Sequence, residues 1–267
     1  MFPDVSSAFE AFRAELDDFS DRRERLIKVF FVQYNSWASR EVTNLSKKII
    51  FLLHRIMTEE TTDTYRETSL RAANAGRAKI AEVTSIFASI RHELEGNLFW
   101  RYYRCVSPGI QEFIEAFSFL HYLEHGTLVT HNEVQNILTD DASIPYFTLP
   151  LEDYLLGLSD LTGELMRFAI SGISRRGGRV RASEVCAFVR HCKSDLERLT
   201  PYIKELTRKQ HVTAQSLEKI EDAAYAIAVR GSEYELSPER LDDIVALSVS
   251  NFVADDHRHR RGEVNEE

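Results

Sequence analysis

A chain of 267 residues, 43% hydrophobic and 28% charged, has the make-up of an ordinary globular protein and is long enough to bury a large core. No run approaches the roughly 18 consecutive apolar residues of a membrane span, and the opening MFPDVSSAFEAF lacks the basic start and apolar stretch of a secretory signal. A net charge of −9 argues against a nucleic-acid binder acting alone, so such a role calls for a local basic patch or a basic partner. The three cysteines, Cys105, Cys186 and Cys192, form no disulfide framework and suggest a reducing compartment. Cys186 and Cys192 lack CxxC spacing, so no zinc site is expected.

Apolar residues recur with the helical period almost throughout, and the 11 glycines and 6 prolines mostly sit at boundaries. One or two long helices are expected over about 5–58, with Leu45, Ile49, Leu52, Leu53 and Ile56 as a stripe. Residues 30–38, FFVQYNSWA, interrupt this stretch as either a local break in the first helix or an insertion. A second long helix is expected from about Thr64 to Glu95, with Ala81, Val83, Ile86, Phe87 and Ile90 on its apolar side. NLFWRYYR, 97–104, continues as an aromatic, basic turn or helix, and Ser107-Pro108-Gly109 punctuates, with Pro108 at a first helical position.

The next helix covers about 109–125 and ends near Gly126. Thr130 and Glu133 fit a capping box for a short helix to Leu138. An exposed linker, TDDASIPYFT, follows, and Tyr146 to Leu149 is a short, ambiguous strand-like run. Pro150 opens a helix to about 171, SRRGGRVR at 174–181 reads as a basic loop, and helices resume at about 183–209, 212–230 and 237–253. The expectation is an all-α, single-domain bundle of about seven helices over 1–253, with a disordered polar tail over 254–267.

Two acidic pairs stand out. Glu112 and Glu115 lie i,i+3 in one helix, and Asp160 and Glu164 lie i,i+4 in another, so each pair shares a face. In the first helix Ile110, Phe113, Ile114, Phe117 and Leu120 make the apolar face, while Phe119, Tyr122 and Leu123 share the acidic side. Three large apolar groups rarely stand together in water, so that side should be covered by a helix, a subunit or a ligand. In the second helix Tyr154, Leu158, Leu161, Leu165 and Phe168 make the core face, with Asp153, Asp160, Glu164 and Arg167 on the other. Gly157 and Gly163 near the acidic row suggest that something approaches the backbone closely. Four carboxylates converging from two helices would suit a hard cation such as Mg²⁺. Acid pairs at these spacings are also common on solvated helix faces, so spacing alone does not make a site.

DYLLGLSDLTGELMR, 153–167, resembles a signature of the translin family, in its TRAX-type branch; IQEFIEAFSFLHYL (110–123), AIAVRGSE (226–233) and SKKIIFLLHR (46–55) are similar to its other motifs. The resemblance spans about 40–250 and implies a seven-helix, all-α fold. It further implies a subunit that joins translin subunits in a barrel-like hetero-oligomer acting as a Mg²⁺-dependent endoribonuclease. The implied substrate is single-stranded RNA, with single-stranded DNA as a further ligand, no membrane is involved, and the location is cytoplasmic and nuclear. RNA-silencing passenger strands and tRNA precursor fragments are the family's associated substrates. The family's catalytic carboxylates carry over to Glu112, Glu115 and Asp160, with Glu164 as a fourth metal-binding acid. The 139–149 connection is short beside some relatives, and 30–38 looks inserted.

For the nucleic acid, Arg167, Arg175, Arg176, Arg179 and Arg181 are candidate contacts, with Lys47, Lys48 and Arg55 as alternatives of the same grade. Arg167 equally suits neutralising its acidic neighbours. Trp100, Tyr102 and Tyr103 are able to stack bases, although packing accounts for them more simply. His121 and His125 have metal-ligand spacing, but the chain holds no Glu-x-x-His of a di-iron bundle, so packing or a hydrogen bond is expected. The competing function is a non-catalytic scaffold that stabilises translin and modulates its nucleic-acid binding.

Overall fold

The computed structural model describes residues 5–30, 41–59, 61–172 and 178–233. The helical period of the sequence becomes eight α-helices among these residues, namely α1 (Val5–Phe30), α2 (Glu41–Thr58), α3 (Tyr65–Ser89), α4 (Asn97–His125), α5 (His131–Ile137), α6 (Leu151–Gly172), α7 (Gly178–Glu197) and α8 (Lys204–Glu233). No strand occurs among the described residues, and the strand-like run near Tyr146 amounts to an isolated bridge between Thr139 and Pro145. Among those residues no helix is long and apolar enough to cross a membrane. Most of the 30–38 segment, the helix expected over 237–253 and the tail over 254–267 lie outside the described residues.

Local signals explain several boundaries. Thr130 caps α5 by accepting from the Glu133 backbone N–H while the Glu133 side chain accepts from the Thr130 backbone, as the capping box predicts; Thr64 and Glu67 do the same for α3. α4 ends at Gly126, whose φ of 73° is the left-handed conformation that glycine adopts freely, and its N–H bonds the Tyr122 carbonyl.

Four expectations are corrected. The helix expected to reach Glu95 stops at Ser89, and a 3₁₀ turn, Arg91–Glu93, turns the chain towards α4. Pro108 does not start a helix, because α4 runs through it. The proline removes one backbone donor, but its ring is exposed while Val106, Gly109 and Ile110 on either side are buried and hold the helix in place. The expected basic loop gives way at Gly178 to α7, since a buried stripe of Ala182, Val185, Cys186, Val189 and Cys192 starts early. The break expected near 210–212 lies instead at 198–203, around Pro201. Leu206, Gln210, Thr213, Leu217 and Ile220 keep one buried stripe going through the polar stretch.

The chain divides into two compact units, Met1–Gly157 and Leu158–Glu267, with the division inside α6. In the first unit α2 and α3 pack on α4 and on each other. α2 runs alongside α4 in the same direction, with Lys47 beside Glu112 and His54 against Phe119. α3 runs the opposite way, from Arg66 on the Glu124 carbonyl to Phe87 against Phe113. α1 is fastened by Arg22 and Arg25, which both pair with the buried Glu93 at 3.2 and 2.7 Å. The Arg25 hydrogen bond, more than offsetting burial, holds the Glu93 carboxyl below its ordinary pKa. The connection after α5 is not wholly exposed, because Phe147 is buried between Phe87 and Phe99. In the second unit α7 and α8 form an antiparallel pair joined by Arg190 and Glu221 at 2.8 Å.

Two glycines of α6 separate by environment. A Cβ on Gly163 meets nothing within 4 Å, so no close approach explains it. Gly163→Ala is expected to add up to about 1 kcal/mol of stability through helix propensity, read as a small rise in the thermal midpoint. A lowered midpoint would show that Gly163 is held by something the helix alone does not explain.

Candidate functional site

Glu112 and Glu115 lie on one face of α4 and both are half-buried. The face is covered, as the aromatic neighbours suggested. Phe119 and Leu123 are buried, and α2 supplies the cover. Lys47 of α2 reaches Glu112, with Nζ 3.1 Å from Oε1.

Asp160 and Glu164 are both half-buried on α6, in the second unit. Lys209 of α8 donates from Nζ to Asp160 Oδ2. Beside this bond Gln210 donates to Ser159 Oγ at 3.1 Å, and the Thr162 and Thr213 hydroxyls lie 3.0 Å apart. α8 therefore runs along α6 on polar contacts that fix the height of Lys209 against Asp160. Burial pushes the Asp160 carboxyl above its ordinary pKa, and the charge and hydrogen bond of Lys209 oppose the shift without cancelling it. Glu164 lies 3.4 Å from Arg167, which is itself exposed.

Basic side chains thus answer Glu112, Asp160 and Glu164, the first two from another helix. Among the described residues no three histidine, cysteine, aspartate or glutamate side chains gather into a metal-ion group. Each pair by itself offers the donor chemistry of a hard cation, two half-buried carboxylates on one face of a regular helix.

Of the candidate nucleic-acid contacts, Arg167 pairs with Glu164, and Arg181 is half-buried in the first turn of α7. Arg179 lies in the same turn, and its side chain falls outside the described residues, as do Arg175 and Arg176 altogether. Lys48 and Arg55 are exposed on α2. Tyr102 is a packing residue, stacked on Phe19 at 5.3 Å between ring centres, whereas Trp100 is 61% exposed. His121 hydrogen-bonds the Thr127 hydroxyl at 3.1 Å, and burial, with the neighbouring His125, lowers its pKa. That agrees with a hydrogen-bonding role.

Two features escape sequence reasoning. Asp153, assigned to the acidic side opposite the core face, is fully buried against α4. It accepts hydrogen bonds from Ser107 Oγ at 2.6 Å and from Gln111 Nε2 at 2.9 Å. Burial, followed by the charge of Asp153, pushes the nearby Tyr103 phenol up to about 12. One turn after Asp153 lies Gly157, where an added Cβ would stand 2.7 Å from Cβ and Cγ2 of Ile114 and 3.0 Å from the Gln111 carbonyl oxygen. The close approach expected from glycine is met here, and the object approached is α4. The lysine partners are the second missed feature. Lys209 lies 49 residues from Asp160, and no local spacing signals such a pair.

Regular helices in this order, two of them bearing paired half-buried acids, define an all-α helical protein. The chain belongs to the translin family, whose pattern matches residues 21–231. It is 35% identical over 251 residues to the Translin-associated protein X of Mus musculus, covering 86% of this chain and 80% of that protein. Among solved structures, apo-NeC3PO matches with a TM-score of 0.60 at 16% identity, over 83% of this chain and 96% of that one. AfC3PO in complex with duplex RNA matches at 0.57 and 18%, over 84% and 97%. At those identities the structural likeness is one of fold.

Proposed function

We propose that this chain is the catalytic, carboxylate-bearing subunit of a translin-type, Mg²⁺-dependent endoribonuclease that cleaves single-stranded RNA. It would act with translin subunits in a hetero-oligomer, in the cytoplasm and nucleus. The observation that carries the reading is the set of four half-buried acids, Glu112, Glu115, Asp160 and Glu164, paired on faces of α4 and α6 in a chain of the translin family.

Glu112, Glu115 and Asp160 would hold the metal, with Glu164, which pairs with Arg167, as a further ligand or as an acid just outside the ligand set. Mg²⁺ bound there would supply activation of water and stabilisation of charge on the phosphoryl oxygens. The chain's own residues provide the rest. α2 and α8 bring a lysine to each acidic helix, and the Asp153 and Gly157 contacts hold the start of α6 against α4 beside Glu112. Basic partner subunits would draw the RNA to a chain whose own net charge is −9. The RNA in the AfC3PO complex supports nucleic acid as the ligand class.

One observation favours a second reading. Acids already neutralised by Lys47, Lys209 and Arg167 need no metal, as in a scaffold that stabilises translin and modulates its binding. Co-expression with the cognate translin separates the two. Cleavage of single-stranded RNA should require Mg²⁺, stop with EDTA, and be lost in Glu115→Ala with assembly intact. Cleavage by the Glu115→Ala complex at the wild-type rate would remove this residue from the catalytic set and favour the scaffold.

A further inference from the structure

We propose that Lys47 and Lys209 are built-in counter-ions, which compete with the divalent cation for Glu112 and Asp160 and turn to the RNA phosphates once the cation binds. This rests on the function proposed above and adds a role for residues outside the acid set.

The two ion pairs share a design. Each unit carries one acidic pair, and in each a lysine from a different helix, α2 or α8, reaches an acid of the pair. The carboxylates are set into helix faces, with side chains 26% exposed at Glu112 and 35% at Asp160. The Lys47 side chain is 59% exposed, and that of Lys209 is 25% exposed on a four-carbon stem. An ammonium on such a stem is a compact, strongly hydrated charge that rotates into water at little cost, whereas a guanidinium grips a carboxylate through a bidentate fork. Both cross-helix partners are therefore the cation type that releases more readily.

A divalent ion and an ammonium on one carboxylate compete for its lone pairs, with Lys47 on Oε1 of Glu112 and Lys209 on Oδ2 of Asp160, and their positive charges repel. The ion carries twice the charge and displaces the lysine when its concentration suffices. The freed ammonium then stands within a side-chain length of the acids, where the scissile strand brings phosphate oxygens. The lysine thus answers an acid before metal binding and a phosphate after it, which couples metal binding to RNA binding.

The test follows Mn²⁺ binding by electron paramagnetic resonance on the full chain purified with its translin partner, with Asp160→Asn as the blank for other sites. Lys209→Gln removes a competitor and a like charge together, so the Asp160-dependent site should tighten about threefold to tenfold. Lys209→Arg keeps the charge and should not tighten it. Lys47→Gln should likewise tighten the Mn²⁺ binding that depends on Glu112, with Glu112→Gln as its blank, and it serves alone should Lys209→Gln fail to fold. At saturating Mn²⁺ each Lys→Gln variant should bind single-stranded RNA more weakly, with a salt dependence reduced by about one phosphate contact. A lysine that merely braces the fold would give the opposite sign for metal. Mn²⁺ binding unchanged or weakened in Lys209→Gln overturns the proposal while leaving the endoribonuclease reading intact. A wild-type complex with no Asp160-dependent Mn²⁺ site overturns the metal reading and this inference with it.

Discussion

Alanine at Gly157 lowers the stability of the chain, although alanine is the better helix former by about 1 kcal/mol. The added Cβ would stand 2.7 Å from both Cβ and Cγ2 of Ile114 and 3.0 Å from the Gln111 carbonyl oxygen. A branched Cβ and a backbone oxygen cannot swing aside as a lysine tip can, so α6 and α4 must separate. Inserting a methyl into such packing costs about 1–3 kcal/mol, which equals or exceeds the propensity gain. A second loss follows one turn earlier, where Asp153 accepts from Ser107 at 2.6 Å and Gln111 at 2.9 Å while fully buried. Separation stretches these bonds, and a buried carboxylate with weakened partners is costly. The expected net loss is about 2 kcal/mol, read as a lower urea midpoint with an unchanged slope. If Glu112 is a metal ligand as proposed, cleavage should fall too, since Gln111 and Ile114 flank Glu112 and the helix shift moves that acid. Ile114→Ala should rescue Gly157→Ala in part, because it removes Cγ2 but leaves Cβ. Additive losses in the double variant would mean that the two residues do not meet.

The misreadings at Asp153 and Pro108 have a common cause. Helical period, capping boxes and the glycine stop at Gly126 are local, and Thr130, Glu133 and the stripe of Ile110, Phe113, Ile114 and Leu120 behave as local rules predict. A proline reads locally as a boundary, yet α4 passes through Pro108 because buried neighbours on both sides outweigh one lost hydrogen bond. An aspartate in a first turn reads locally as exposed, yet Asp153 is buried because Ser107 and Gln111, more than 40 residues earlier, supply donors. The apparent break at KQHVT dissolves for the same reason: Gln210 and Thr213 are buried by pairing with Ser159 and Thr162. The acidic pairs were legible because spacing alone puts each on one face. Their lysines were not, because Lys47 and Lys209 arrive from helices distant in sequence.

Asparagine in place of Asp160 should separate activity from stability, and pH shows how. The folded protein holds the Asp160 carboxyl above its ordinary pKa because burial outweighs Lys209. A carboxyl whose folded pKa exceeds its unfolded one binds its proton more tightly in the fold, so stability falls as pH rises through the window between the two values. Above that window the wild type carries the full cost of a desolvated carboxylate. The asparagine side chain has the same shape and no charge, and its amide oxygen still accepts from Lys209, whose side chain is partly exposed. Asp160→Asn should therefore melt no lower than the wild type at pH 7–8, and the gap should close as pH falls towards about 4, where an unfolded aspartate protonates. If Asp160 is a metal ligand as proposed, cleavage should drop at least about a hundredfold, since removing even an indirect partner of a bound metal costs 10–100-fold. A stabilised, folded and inactive complex would mark Asp160 as a residue kept at the expense of stability. A strongly destabilised Asp160→Asn would show that the Lys209 pair outweighs burial, reversing the sign of the pH dependence and making the pair a structural tie between α6 and α8.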